Sequence, residues 1–347
     1  MLTPLLIAAV IAADTPPEPL ATRVATALAG DSASWVAWDV PAIGDEMACC
    51  WSSSKNLSKS LVRLTSDARS TTCSLGRDNV SMWNSRDNNK TLAPQSPNTI
   101  TVYVRGQGRE VDLVRAYSAQ CSVATEGEAV HRIESVNPGQ SVAFLSWLAK
   151  RAEAARASRR RSDGALTAIA LHADDSATPA LEALASGSPS RESRKNAAFW
   201  LGNTRGQPGY QALVRLRASS DVDFREQLTF AFSQSPVPEA SSSLVDMART
   251  DPSPRVRGQA LFWVAQKAQK KTDADVIRTA AVDDPDEDVK KKAVFALSQI
   301  PGGEGVPDLI RVASENKSHE VRKQAMFWLG QSKDPRALAF FETILSR

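Results

Sequence analysis

Five similar stretches of sequence recur at nearly constant spacing in the C-terminal half of this chain. Each starts at a basic residue and has a phenylalanine five residues later and an Asn or Gln nine residues later. The basic residues are separated by 31, 32, 33 and 32 positions, a period typical of stacked two-helix repeats. The sequence therefore predicts a mainly α fold, with an α-solenoid of helical hairpins over residues 164–347. The five basic residues are Arg194, Arg225, Arg257, Lys290 and Arg322.

Each basic residue lies in the second helix of its hairpin, and an apolar pair about a dozen residues upstream marks the first helix. Proline with Asp, Asn or Ser separates the two helices, because proline cannot continue a helix and the others can cap the next one. The last helix, Leu338–Leu345, is predicted to be half of a final repeat that covers the open end of the solenoid. The apolar pairs are Leu181/Leu184, Leu213/Leu216, Leu244/Met247, Ile277/Ala280 and Leu309/Val312.

Upstream of the repeats the pattern changes from helical to strand-like. Residues 35–40, 99–105 and 111–117 are predicted strands, and the last two alternate apolar and polar side chains around a short glycine-containing connection, as in a β-hairpin. These segments predict a small β-rich domain over residues 34–137. The predicted flanking segments are a tether with a short helix over 14–33 and a helical connector over 138–163.

The first 13 residues resemble a secretory leader, because the apolar run Leu5–Ala13 ends in small residues. No Lys or Arg precedes this run, and a buried N-terminal helix or a misassigned start codon would also account for it. We interpret residues 1–13 as a signal peptide and expect a periplasmic or secreted protein. No later run reaches the roughly 20 apolar residues of a membrane-spanning helix, so no membrane span is predicted.

Cysteine usage also favours an exported protein. All four cysteines, Cys49, Cys50, Cys73 and Cys121, precede the repeats. An even number in one small module predicts two disulfides, and adjacent cysteines cannot readily bridge each other. Cys49 and Cys50 are therefore expected to reach separately to Cys73 and Cys121, which leaves the connectivity open.

Residues 162–347 resemble bacterial HEAT repeats of the phycobilisome-lyase type, through their recurring Asp, Pro, Val-Arg, Ala and Leu-Gly. The resemblance implies that an Asp six residues before each Arg joins a hydrogen-bond ladder through the repeats. Asp251 with Arg257 fits this pattern. Asp284 with Lys290 and Asn316 with Arg322 fit it approximately, and Ser188 with Arg194 and Ser219 with Arg225 depart from it.

The resemblance brings two kinds of enzyme into consideration. Deoxyhypusine hydroxylases bind iron through several His-Glu pairs, whereas this chain has three histidines and the single pair His319-Glu320. Phycobilin lyases have no short motif that can be matched here, and no nucleophile-elbow, HExxH, phosphate-binding or dinucleotide-binding motif is present. The sequence therefore predicts no catalysis, no cofactor and no metal, with a HEAT-like lyase as the enzymatic alternative. A net charge of +3 does not indicate nucleic-acid binding.

A second pattern lies on the side of the second helices that points away from the hydrophobic seam. At 100° per residue, positions two and nine after each basic residue fall opposite the core and carry amides except at Lys292, with Phe at position five and Trp or Ala at position six. These residues either fill the grooves between helices, with the amides bonded along the array, or bind an extended partner. The candidate partner-binding residues are Trp200, Gln227, Gln234, Gln259, Trp263, Gln266, Gln299, Gln324, Trp328 and Gln331.

The sequence thus favours a non-catalytic protein-protein interaction scaffold in the bacterial cell envelope, which binds an unidentified protein or peptide along the concave face of the solenoid. Carbohydrate or cell-wall binding is the alternative from another class, because Trp with amides also suits sugars. A cytoplasmic enzyme or regulator would follow if the leader is retained and the cysteines are reduced.

Overall fold

The computed structural model describes residues 16–44, 73–76, 98–151, 156–188, 190–267 and 271–346. The predicted leader and two of the four cysteines, Cys49 and Cys50, lie outside these residues. The chain divides into two compact units, Met1–Trp200 and Leu201–Arg347, which are called the first and the second unit.

The first unit holds the strands. They form a four-stranded sheet in the order β4-β3-β1-β6, in which β3 is antiparallel to both β1 and β4 and β6 is parallel to β1, and a two-stranded pair of β2 with β5. The predicted hairpin is present as β3 and β4. The strands are β1 (Ser34–Pro41), β2 (Cys73–Ser74), β3 (Thr99–Gln107), β4 (Glu110–Ser118), β5 (Val123–Ala124) and β6 (Val130–Arg132).

Helices pack against this sheet within the first unit. Helix α3 lies so close to β4 that a Cβ on Gly164 would stand 2.1 Å from the carbonyl oxygen of Val114. The sheet therefore shares its core with helices, and a separate β domain over 34–137 stays a prediction. The predicted connector over 138–163 comprises α2 and the beginning of α3. The helices are α1 (Leu20–Ala27), α2 (Pro138–Lys150), α3 (Arg156–Leu171), α4 (Ala177–Gly187) and α5 (Arg191–Thr204), which crosses the boundary between the units.

Buried polar contacts join the sheet to the helices. The indole of Trp38 donates to Ser141 Oγ at 2.8 Å, and His172 Nε2 lies 2.9 Å from the same hydroxyl. All three side chains are fully buried. The core histidine is therefore held by structural hydrogen bonds.

Two of the four cysteines are described. Cys73 and Cys121 are both disulfide-bonded, and the described residues include no free cysteine. Cys73 is fully buried and belongs to the same apolar cluster as Cys121. The connectivity of the four cysteines stays a prediction.

The second unit is built from alternating helices in two layers. The second helices α7, α9, α11 and α13 pack side by side in one layer, and the first helices α8, α10, α12 and α14 pack in the other. A short 3₁₀ turn at Pro301–Gly303 precedes α12. The helices are α6 (Gly206–Leu216), α7 (Val222–Gln234), α8 (Glu239–Thr250), α9 (Pro254–Lys267), α10 (Lys271–Asp283), α11 (Glu287–Ser298), α12 (Val306–Glu315), α13 (His319–Gln331) and α14 (Pro335–Leu345).

Local sequence explains where these helices begin and which side they bury. The side chains of Asp221, Asp286 and Ser318 cap α7, α11 and α13 by accepting hydrogen bonds from backbone amides of the first turn. Positions three and seven after each basic residue are buried between the layers, as Ala325 and Leu329 show with 0% and 1% exposure. The 3.6-residue periodicity thus forms one apolar seam through the second unit.

That the last helix covers the open end of the array stays a prediction. Helix α14 packs on α12 and α13, but Ala337 is its one buried residue. Leu338 and Leu345 are 63% and 83% exposed. The helix therefore adds a first-helix layer whose own apolar side is uncovered. Throughout the described parts of the chain, no helix combines the length and the apolar character that crossing a membrane requires.

Candidate functional site

The arginines of the repeats form buried ion pairs between neighbouring hairpins. Arg225 donates from Nε and Nη2 to the carboxylate of Asp251 at 3.0 and 3.1 Å, and Arg257 donates in the same way to Asp284 at 2.9 and 2.8 Å. Each arginine also donates from Nη1 to the carbonyl oxygen six residues upstream, at 2.9 Å for Arg225 and 3.0 Å for Arg257. The guanidinium therefore bridges the turn of its own hairpin and the turn of the next.

These ion pairs are strong because they are largely excluded from solvent and because each arginine donates two hydrogen bonds to one carboxylate. The side chains of Arg257 and Asp284 are 10% and 7% exposed, and the hydrogen bonds that Arg257 donates to Asp284 raise the pKa of Arg257 above its usual value. Fork-shaped contacts of this kind fix orientation as well as adding energy. The ladder therefore sets the angle at which α7, α9 and α11 follow one another.

The ladder stops at Lys290. Lys290 has no ion pair among the residues that the structure describes, and the side chain of Asn316 donates instead to the carbonyl oxygen of Ala281 at 3.0 Å. Arg322 keeps the bond to the carbonyl oxygen of Asn316, at 2.6 Å. In the first unit, Arg194 donates in the same way to the Ser188 carbonyl at 3.2 Å.

A continuous row of aromatic rings runs across the second helices of the second unit. Successive ring centroids are 4.9–6.1 Å apart, and the rings of Phe262 and Phe295 are stacked with an interplanar angle of 3°. The rings alternate edge-on, tilted and stacked contacts, which are the arrangements that aromatic pairs prefer. The row consists of Phe230, Trp263, Phe262, Phe295, Trp328 and Phe327.

Amides flank this aromatic row at the predicted positions. None of them is buried, and Gln266 and Gln331 are exposed. Gln234 and Gln299 donate to the hydroxyls of the preceding serines, Ser233 and Ser298, at 3.0 and 3.1 Å. We call this surface the amide face; it comprises Gln227, Phe230, Gln234, Gln259, Phe262, Trp263, Gln266, Lys292, Phe295, Gln299, Gln324, Phe327, Trp328 and Gln331.

The amides do not form a ladder of their own. Within the described part of the second unit, no hydrogen bond joins an amide of one second helix to an amide of the next. Gln227, Gln259, Gln266, Gln324 and Gln331 have no side-chain hydrogen bond to any described residue. Their donors and acceptors are therefore available to a ligand.

The tryptophans take part in both packing and the surface. Trp263 and Trp328 are partly exposed, yet the Nε1 atom of each is covered and has no hydrogen-bond partner within the described chain. Small residues stand at the same position in the alternate repeats, where Ala231 and Ala296 are fully buried. The large and small residues therefore do fill the grooves between helices, while one side of each indole remains on the amide face.

The remaining candidate, Trp200, is the last residue of the first unit. Its ring lies edge-on to Phe199, with centroids 5.1 Å apart. Asn196, on the same helix, donates to Asp163 at 2.9 Å. In the first unit, this amide therefore has a structural partner on another helix, whereas five amides of the second unit have no side-chain hydrogen bond to a described residue.

The sequence did not reveal which hairpin supplies the Asp to each Arg of the ladder, and it did not reveal a second ion pair. The ladder pairs Arg225 with Asp251 of the following hairpin, although Ser219 stands six residues before Arg225 where the pattern has an Asp. On the first helices, Arg278 donates to the carboxylate of Asp308 at 2.6 and 3.0 Å, and Asp308 is 5% exposed. The spacing of Arg278 and Asp308, about one repeat apart, was the available signal for this pair.

Two layers of alternating helices joined by inter-repeat ion pairs define the second unit as an α-solenoid, a class of repeat protein that presents an extended surface. Residues 274–347 match the protein family described as HEAT repeats. The match covers the last part of the array, so a HEAT assignment of the earlier repeats stays a prediction. A search of curated proteins found no match to this sequence.

Several solved structures are similar over part of the chain. Human deoxyhypusine hydroxylase in complex with glycerol is 19% identical, covering 60% of this chain and 80% of that one with a TM-score of 0.32. The complex of CpcE and CpcF of phycocyanin lyase from Nostoc sp. PCC7120 is 15% identical, over 61% and 95%, with a TM-score of 0.29. An engineered protein is 21% identical, over 60% and 93%, with a TM-score of 0.29. Likeness at this level does not transfer function between proteins.

Proposed function

We propose that this protein is a non-catalytic scaffold for protein-protein interaction, which binds an extended peptide segment of a partner along the amide face. The observation that supports this function best is the combination of a continuous, partly exposed aromatic row with amides that have no partner in the described chain. Aromatic rings supply contact area at low entropic cost, and free amides supply hydrogen bonds to a peptide backbone.

The spacing of the repeats suits an extended chain. Packed helices lie about 8–10 Å apart, and three residues of an extended peptide span about 10 Å. A bound strand would therefore meet one Gln for every three residues, so its backbone groups would face equivalent amides on α7, α9, α11 and α13. A segment of about twelve residues would span these four helices.

We also propose that the scaffold works in the cell envelope. The leader-like residues 1–13 and the disulfide-bonded state of Cys73 and Cys121 support this location. Mass spectrometry of the native protein should show an N-terminus near residue 13 and no free thiol. A retained leader with reduced cysteines would favour the cytoplasmic alternative.

The binding proposal is tested with a library of unstructured peptides of about twelve residues, each measured against the full chain. The test variant combines Gln259→Ala, Gln266→Ala and Trp263→Phe. Phenylalanine is used because Trp263 contacts Phe230 and Phe262, at 5.1 and 4.9 Å, and a smaller residue would also lower stability. We expect selected peptides to bind the variant at least about tenfold more weakly, the equivalent of about one or two hydrogen bonds.

The matched control is Gln207→Ala with Gln211→Ala, which removes two exposed amides from α6, a first helix. This control should leave binding unchanged. Equal binding by wild type and the test variant would contradict the proposal. Quenching of tryptophan fluorescence by glycans, with no peptide selected, would favour the carbohydrate alternative instead.

A further inference from the structure

One charged side chain lies among the amides of the amide face. The residues two positions after the basic residues of α7, α9, α11 and α13 are Gln227, Gln259, Lys292 and Gln324. Lys292 is exposed, and it is the one residue of the amide face, as defined above, that carries a charge. A bound segment that follows this row of side chains therefore meets an ammonium group at α11 and amides on the helices at either side.

A glycine of the neighbouring helix makes room for this lysine. A Cβ on Gly258 of α9 would stand 2.3 Å from Cδ and 3.3 Å from Nζ of Lys292, so the lysine side chain lies across α9 at the point where that helix has no side chain. Gly258 is buried. The other second helices of this unit carry Glu226, Lys291 and Lys323 at the same position. The ammonium group is therefore held beside α9, next to the amides of the row.

This ammonium group has no counter-ion in the described part of the chain, because no ion pair or hydrogen bond joins Lys292 to a described residue. The two carboxylates of its own helix, Glu287 and Asp288, pair instead with Lys291, at 3.3 and 3.5 Å. Helix α9 contains no carboxylate, and the two of α7 pair with Arg255. A carboxylate is therefore the group that complements this position of the amide face.

We propose that the segment bound on the amide face carries an Asp or Glu side chain that pairs with Lys292. This inference rests on the proposed peptide binding and adds the charge of the ligand to it. In an extended segment that meets one second helix every three residues, the acidic residue is the one that faces α11. The residues three positions before and after it then face Gln259 and Gln324. A basic residue at the α11 position is disfavoured, because it would bring two positive charges together.

The probes are the peptides selected in the binding test, each remade with Glu, Gln or Lys at one position at a time. Their ends are acetylated and amidated, so that no terminal carboxylate takes part. Fluorescence anisotropy measures their affinity for the full chain at low ionic strength. At one position, we expect Glu to bind at least about threefold more tightly than Gln, and Lys more weakly than both. Added salt should reduce these differences, because it screens charges that are in contact with water.

Variants of the full chain assign the preference to Lys292. Lys292→Gln should abolish the preference for Glu, and Lys292→Glu should reverse it so that the Lys peptide binds most tightly, which a general loss of stability would not produce. Gly258→Ala should reduce the preference, because the new Cβ displaces the lysine side chain. The matched control is Arg249→Gln, which also removes a positive charge from an exposed residue but lies on α8, a first helix. It should keep the preference of the wild type.

The outcomes separate this inference from the binding proposal on which it rests. Suppose that binding requires Gln259, Gln266 and Trp263, but the peptides bind equally well with Glu, Gln or Lys at every position. That result would overturn the inference and would leave the amide face as the binding surface. A preference for Glu that survives Lys292→Gln would overturn it too. A library in which no peptide binds would contradict both proposals.

Discussion

At the residue scale, the buried guanidinium groups of the second unit are expected to stabilise it far more than exposed ones. Arg257→Met removes one partner of a nearly buried pair and leaves the carboxylate of Asp284 without its cation. We expect a loss of about 3–5 kcal/mol in the free energy of unfolding. Chemical denaturation of the full chain measures this loss.

Arg255→Met is the matched control, two positions away. The side chain of Arg255 is 59% exposed, and it pairs with Asp223 at 2.8 Å and with Glu226. Exposed pairs contribute about 1 kcal/mol or less. Equal losses for Arg255→Met and Arg257→Met would refute the role given to the ladder.

The gap in the ladder at Lys290 can be filled by substitution. Asn316→Asp alone should destabilise, because Asn316 is 7% exposed and its donor to the Ala281 carbonyl would be replaced by an unpaired carboxylate. Adding Lys290→Arg should recover at least about 1 kcal/mol, since it recreates the pair of Arg257 with Asp284. A double-mutant cycle by urea denaturation measures the coupling, and a coupling of zero would be inconsistent with the repeat geometry.

A carboxylate of the first unit links stability to pH. Glu128 accepts hydrogen bonds from Arg105 Nη2 at 2.6 Å and Trp35 Nε1 at 2.7 Å, and the bonds from Arg105 lower the pKa of Glu128 below its ordinary 4.5. The folded-state pKa is therefore lower than the unfolded one. Its contribution is fully present above the unfolded pKa and is lost as the pH falls through the folded value.

Glu128→Gln tests this linkage. The variant should be less stable than wild type at pH 7, and the difference should shrink as the pH falls below about 4. Denaturation at a series of pH values measures both curves. Curves that stay parallel down to acid pH would rule out a stabilising role for this carboxylate.

At the element scale, glycines at the same position of two repeats lie on different kinds of helix surface, one closely packed and one open. A Cβ on Gly202 would stand 2.2 Å from the carbonyl oxygen of Ala231, whereas nothing lies within 4 Å of a Cβ on Gly330. Both glycines stand eight residues after the basic residue of their repeat. They are therefore equivalent in sequence and different in surroundings.

Opposite effects of alanine follow from that difference. Gly202→Ala should destabilise the chain by about 1–3 kcal/mol, because the helices must move apart. Gly330→Ala should stabilise it by up to about 1 kcal/mol, because a helical glycine is replaced without a clash. Thermal denaturation of the two variants compares them, and a shift of the same sign in both would contradict this packing.

Periodicity was enough to predict the helical hairpins and the side of each second helix that is buried. The 3.6-residue pattern identifies Ala325 and Leu329 as core without any long-range information. It could not show that Arg225 pairs with Asp251 of the next hairpin. Ser219 stands where the repeat pattern has an Asp, so nothing in the sequence indicated that Arg225 takes part in the ladder. It also could not show that the apolar side of α14 is uncovered, since exposure depends on what packs next to a helix.

At the scale of the whole molecule, the structure joins a sheet-containing unit to a unit of stacked hairpins. The alternation of apolar and polar residues predicted the hairpin of β3 and β4. The packing of α3 on β4 could not be predicted in this way, because Gly164 is the one residue in the sequence that reflects it. The candidate site was predicted by helical phase alone. Only the hydrogen-bond partners in the structure could show that five amides of the amide face have no partner among the described residues, which is what supports its proposed role.

The most direct test of the central claim is hydrogen exchange of the full chain with and without a selected extended peptide. The proposed binding mode predicts slower exchange in α9, α11 and α13, and no change in the first helices α8, α10 and α12 or in the sheet of the first unit. Protection confined to the first helices or to that sheet would contradict the assignment of the amide face as the binding surface.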